Sequence, residues 1–124
     1  MLKKAEAPQG PQLRYSDMVT ISIKQEKGAF ELYANGHAEH AEYGKDLVCA
    51  AVSILLYTLV ESIDRSDLNG EMIAVMQPGS TFIRMDPKKE KEAKIRGVLS
   101  VIETGFSLLE KNFPKNICFM GGVG

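Results

Sequence analysis

The chain has 124 residues, enough for one core and too few for two. Apolar residues make up 44%, which excludes a disordered chain. A net charge of −1 supplies no bulk attraction to nucleic acid, so a macromolecular partner must be met through a specific cleft.

Residues Met1 to Asp17 mix prolines, glutamines and scattered charge without periodicity. They read as a disordered leader, with Met18 a candidate initiator. Two lysines near the start lack the apolar stretch of a signal peptide. The folded domain is expected over residues 18–120, followed by a flexible tail over 121–124.

Met18 to Lys24 alternates, with Val19, Ile21 and Ile23 on one face, as a half-buried strand does. Gln25 to Gly28 reads as a turn, and Ala29 to Asn35 as the second strand of a hairpin. Asn35-Gly36 is a turn signal that aims His37 away from the strand end. The polar loop Ala38 to Lys45 contains Gly44, and glycines at both margins suit closure over a peptide.

Asp46 reads as the N-cap of a helix from Leu47 to about Asp64. This helix is apolar nearly all round, which in so small a protein suggests cover by a partner chain. Its near-apolar run from Leu47 to Val60 is 14 residues, short of the roughly 20 that span a membrane. Arg65 to Gly70 is a turn, and Glu71 to Gln77 and Ser80 to Met85 flank Pro78-Gly79 as a second hairpin. Met72, Ala74, Met76 and Phe82, with Thr81, Ile83 and Met85, are expected on its covered face. Asp86-Pro87 opens a second helix. Its apolar stripe is Ile95, Val98, Leu99, Ile102, Phe106, Leu109 and Phe113, opposite a charged face over Lys88 to Lys94. Pro114 ends it, and Lys115 to Met120 reads as a final strand. The expected fold is α+β: a mostly antiparallel sheet in the order strand-strand-helix-strand-strand-helix-strand, packed by two helices.

The chemistry concentrates between Gly36 and Ser53. Cys49 is expected in the first turn of the helix, across a loop from His37. A free thiol has a pKa of about 8.5, and the thiolate is the nucleophile. Unpaired first-turn N–H groups favour an anion and could also hold an oxyanion. A histidine in reach takes the thiol proton and returns it to a leaving amine. Asp46 could orient His37 or serve only as a cap, and it would oppose thiolate formation by like charge. Ser53 lies four residues after Cys49 on the same face, either supporting the pair or bonding back to the Cys49 carbonyl.

Gly36-His37-Ala38 followed by Gly44-Lys45-Asp46-Leu47-Val48-Cys49-Ala50-Ala51-Val52-Ser53 resembles the signature of the Prp family, ribosomal-processing cysteine proteases of Firmicutes and related bacteria. The twelve-residue separation of His37 and Cys49 fits that two-part motif, and element order fits from about Met18 to about Phe119. The resemblance implies Cys49 as nucleophile, His37 as proton donor and acceptor, and a cytoplasmic homodimer. It implies removal of the N-terminal extension of a large-subunit ribosomal protein precursor, the one numbered twenty-seven. Gly36, Ala38 and Gly44 would belong to the substrate loop, with Asp46 and Ser53 in support. No cofactor, direct nucleic-acid contact or membrane is implied.

Three other readings compete. A first-turn cysteine is often only a small buried hydrophobe. His37, His40, Cys49 and Cys118 could ligate a metal, but their spacings match no usual zinc pattern. The third is a non-enzymatic thiol sensor or a binding module for ribosomal proteins; a sensor needs the cysteine but not the histidine. Cys49 and Cys118 are expected to remain thiols.

Overall fold

Alternating apolar residues build the sheet in the computed structural model, which describes residues 18–36, 43–68, 71–77 and 79–122. The leader, the Pro78 corner and most of the His37 loop lie outside the described residues. β1 (Val19–Glu26) and β2 (Ala29–Asn35) form an antiparallel hairpin that pairs Ile21 with Ala34 and Ile23 with Leu32. β1 runs two residues past the expected end at Lys24, because Gln25 and Glu26 pair with Phe30 and Ala29. A tertiary contact holds that extension, with Gln25 Nε2 donating to Glu92 Oε2 at 2.6 Å. The turn shrinks to Lys27-Gly28, with φ of 54° and 84°, the double positive φ that a two-residue hairpin favours.

β3 (Met72–Gln77) and β4 (Ser80–Met85) form the second hairpin, and β5 (Ile117–Gly121) comes last, running to Gly121 in what was expected to be tail. The sheet order is β3-β4-β2-β1-β5, antiparallel except for the parallel pair β1-β5. Element order and sheet type match the expected α+β fold.

Two helices cover one face. α1 (Tyr43–Ser62) buries Val48, Val52, Leu56 and Leu59. α2 (Glu92–Asn112) buries Ile95, Leu99, Ile102 and Phe106. Their partners are Val19, Ile21, Ile23, Phe30, Leu32, Ile83 and Met85 on the sheet. Each such side chain contributes about 1.5–3 kcal/mol relative to exposure. The helices approach closely at Gly105, where an added Cβ would stand 2.9 Å from Leu55 Cδ2. Phe106 meets Phe119 at a centroid distance of 5.7 Å, so α2 lies over the β5 end of the sheet. α1 therefore lies over the β2-β4 half.

Among the described residues neither helix covers the other face. Phe82 sits there, against Tyr33 at 4.9 Å, rather than on the covered face with Thr81, Ile83 and Met85. A strand alternates its side chains, so Phe82 cannot share a face with both of its neighbours.

The second helix starts later than Asp86-Pro87 suggests. Lys88 is extended, with φ −58° and ψ 147°, and a 3-10 turn at Lys89–Lys91 precedes α2. The Lys88 N–H donates to the Asp67 carbonyl at 3.0 Å, tying this segment to the 3-10 turn Arg65–Leu68 and overriding the local helix signal. The Asp67 side chain is buried and takes a 2.9 Å hydrogen bond from Lys94 Nζ, with Lys91 Nζ at 3.6 Å. The Lys94 hydrogen bond holds the Asp67 carboxyl below the usual carboxylate range, against the opposing effect of burial. The same bond raises Lys94.

Candidate active site

Gly36 ends β2 and begins the approach to His37. Its N–H donates to the Gly79 carbonyl at 3.0 Å, which ties β2 to the β3-β4 corner. Its φ is +109°, and a Cβ there would stand 2.3 Å from the Met18 carbonyl oxygen. Only glycine meets both conditions. The expected hinge at Gly36 is thus a fixed point of the backbone. His37, Ala38 and His40 lie outside the described residues.

α1 begins at Tyr43, four residues earlier than expected, and ends at Ser62. This corrects two assignments. Gly44 is the second residue of the helix, not part of the loop, and Asp46 is the fourth, not the N-cap, since a cap residue precedes the helical backbone. The reason is energetic. One glycine costs a helix about 1 kcal/mol, which the long apolar body behind it outweighs.

Cys49 consequently stands seventh in the helix, in its second turn. An amide at that position donates to the carbonyl four residues back and is not free for an oxyanion. The macrodipole effect also falls off within the first turn. Cys49 is half-buried and packs against the core. Ser53, one turn on, is exposed. Back-bonding in this helix is made by Thr58 to the Ile54 carbonyl and Ser62 to the Thr58 carbonyl, both at 2.6 Å.

Helix geometry gives the direction in which Cys49 faces. At about 100° per residue, Leu55 lies on the flank toward α2, where it meets Gly105. Cys49, Ser53 and Val60 fall on the opposite flank of the buried stripe. With α2 over the β5 end, strand order puts β4 and then β3 on that side of α1. There Ala74 is exposed, while Met72 and Met76 are half-buried against the core. Met72, Ala74 and Met76 of β3 thus make an apolar ledge on the side of α1 away from α2. The sequence alone did not reveal this, because the order of strands decides which one lies next to α1.

Both cysteines are free thiols. Cys118 pairs in register with Thr20 on the face of the sheet that neither helix covers, across the sheet from Cys49. Among the described residues no cluster of three or more His, Cys, Asp or Glu could hold a metal ion. No described helix is long and apolar enough to cross a membrane.

Known proteins are similar to this chain in sequence and fold. A ribosomal processing cysteine protease Prp from Staphylococcus aureus is 29% identical over 104 residues, covering 80% of this chain and 92% of that protein. One from Bacillus subtilis is 27% identical over 105 residues, covering 79% and 90%. The S. aureus protease crystallised with a covalently linked product peptide superposes with a TM-score of 0.62 at 25% identity, covering 84% of this chain and 99% of that one. The cysteine protease Prp family model matches residues 18–118, a span containing both halves of the His37-Cys49 motif, and the chain belongs to that family.

Proposed function

We propose that this cysteine protease removes the N-terminal extension of a large-subunit ribosomal protein precursor, the one numbered twenty-seven, during ribosome maturation in the cytoplasm. The observation that carries the reading is the family match, whose span of residues 18–118 includes Gly36-His37-Ala38, Asp46 and Cys49. The relatives' description as ribosomal processing proteases supports the substrate class. The covalently linked product in the S. aureus crystal supports a covalent route in that protein.

In this mechanism His37 takes the proton of the Cys49 thiol. The thiolate attacks the scissile carbonyl, and His37 returns the proton to the leaving amine. Water then hydrolyses the thioester and frees the enzyme. Because Cys49 stands past the first turn of α1, ionising the thiol rests on His37 rather than on the helix end. The oxyanion is held by amides other than that of Cys49. Asp46 and Ser53 act in support, Asp46 from the first turn of α1 and Ser53 from the exposed turn after Cys49. Gly36 and Ala38 belong to the substrate loop, which ends before α1.

We further propose that the protein works as a homodimer. Support comes from the outer side of the helix layer, where Leu47, Ile54 and Tyr57 of α1 and Val101 and Leu108 of α2 are exposed. Unpartnered apolar surface of this kind marks interaction sites.

Incubation with the precursor protein, read by intact mass, tests the activity. Wild type should release the leader, and Cys49→Ala should release none. His37→Ala should lower kcat by about 10²–10⁴-fold, the usual worth of a general acid-base group. Cleavage that survives Cys49→Ala would reject the nucleophile assignment.

A further inference from the structure

The two edges of the sheet are built differently. At the β5 edge the Phe119 N–H donates to Glu110 Oε2 at 3.0 Å, so α2 closes that edge with a carboxylate. Charge placed on an edge strand blocks further pairing. At the other edge β3 reads Met-Ile-Ala-Val-Met-Gln, with no charged residue. Ile73 and Val75 are 52% and 45% exposed on one face, and Ala74 is exposed on the other. Among the described residues no strand pairs with its far side.

Register shows which backbone groups are free. A two-residue connection joins Gln77 to Ser80, and the pair flanking such a connection is hydrogen-bonded. Bonded and non-bonded pairs then alternate along the hairpin. Gln77, Val75 and Ile73 direct their amides and carbonyls to β4. Met76, Ala74 and Met72 direct theirs outward, and the side chains of these same three residues form the ledge beside α1. The free hydrogen-bonding row and the apolar ledge thus belong to the same residues. The ledge lies on the same side of α1 as Cys49, the side away from α2. Gly36, one residue before His37, is bonded to Gly79 at the end of the same hairpin.

We propose that the substrate binds as an added strand on the open edge of β3, its backbone paired with Met72, Ala74 and Met76, so that the scissile bond lies against Cys49. This rests on the reading of Cys49 as the nucleophile. The chemistry fits an extended peptide with apolar side chains at alternate positions. Main-chain bonds supply affinity in such additions, and the surfaces met by every second side chain supply specificity. Methionines at both ends of the ledge adapt to side chains of different shape. A second copy of the chain is a poorer occupant. A stable interface takes about 20–30 residues a side, and this edge offers six.

The test uses Cys49→Ala protein and a synthetic peptide spanning the leader junction of the organism's own ribosomal precursor. Amide exchange is followed residue by residue by NMR, with binding monitored by anisotropy of labelled peptide. Saturating peptide should slow the Met72, Ala74 and Met76 amides at least tenfold and leave Val75 and Gln77 unchanged. Ala74→Pro removes one outward N–H at an edge that tolerates proline. It should lower kcat/KM for the peptide at least tenfold while the rate of Cys49 alkylation by iodoacetamide stays at the wild-type value. Peptide that binds without slowing those three amides overturns the inference. So does protection already present in the free protein and lost on dilution, which would give the edge to a second copy. Failure of the underlying reading looks different: Cys49→Ala protein would then still cleave the precursor.

Discussion

Gly36 shows how a single residue can hold the entrance to a catalytic loop. Its positive φ and its contact with the Met18 carbonyl leave no room for a side chain. Gly36→Ala should destabilise the fold by about 1–3 kcal/mol, read from urea unfolding. It should also slow cleavage more than that loss explains at low temperature, because the chain enters His37 from a displaced start. The glycine was legible as a turn residue after Asn35. Its close approach to Met18 was not, because that carbonyl lies just before β1, a whole hairpin away in the chain. Asp67 supports a second prediction at this scale. Its folded carboxyl titrates below its unfolded value of about 4, held there by Lys94. Its contribution to stability is complete above the unfolded value and is lost as pH falls through the folded one. Lys94, raised by the same bond, contributes below its unfolded value and loses that contribution as pH rises through its folded value. Wild type should therefore lose stability in acid, and Asp67→Asn should show a flatter acid limb in unfolding midpoints measured from pH 6 to pH 2.

At the scale of elements, periodicity carried most of the information. The alternation of Val19, Ile21 and Ile23 and the three-four spacing from Ile95 to Phe106 each marked the face that is buried. Ends were less legible. Gly44 and Asp46 look like loop and cap, yet both lie in α1. The buried stripe further along favours helix, and propensity at one position is too weak to oppose it. The opposite error occurred at Asp86-Pro87, a strong local start signal that the contact between Lys88 and Asp67 overrides. For the site, residue types and spacing pointed to Cys49 and His37, whereas the β3 ledge required the strand order. That order places β3 at an edge of the sheet.

For the whole molecule, the outer helix face is the surface that dimerisation would cover. Ile54 is 62% exposed and Val101 71% exposed, values that leave large apolar side chains in water. Light scattering after gel filtration should give wild type about twice the chain mass of 13.7 kDa. Ile54→Glu, which sets a charge on that face away from the Cys49 flank, should return the mass toward a single chain. A wild-type mass of one chain at micromolar concentration would remove the homodimer. The unequal edges of the sheet have a consequence for assembly. Stacking copies strand against strand into a fibre requires every unit to recruit at both ends. Here Glu110 already occupies an edge amide at the β5 end, which makes that end a poorer template than β3. The fold keeps a sticky, uncharged border for its work while offering a growing polymer a weaker second end.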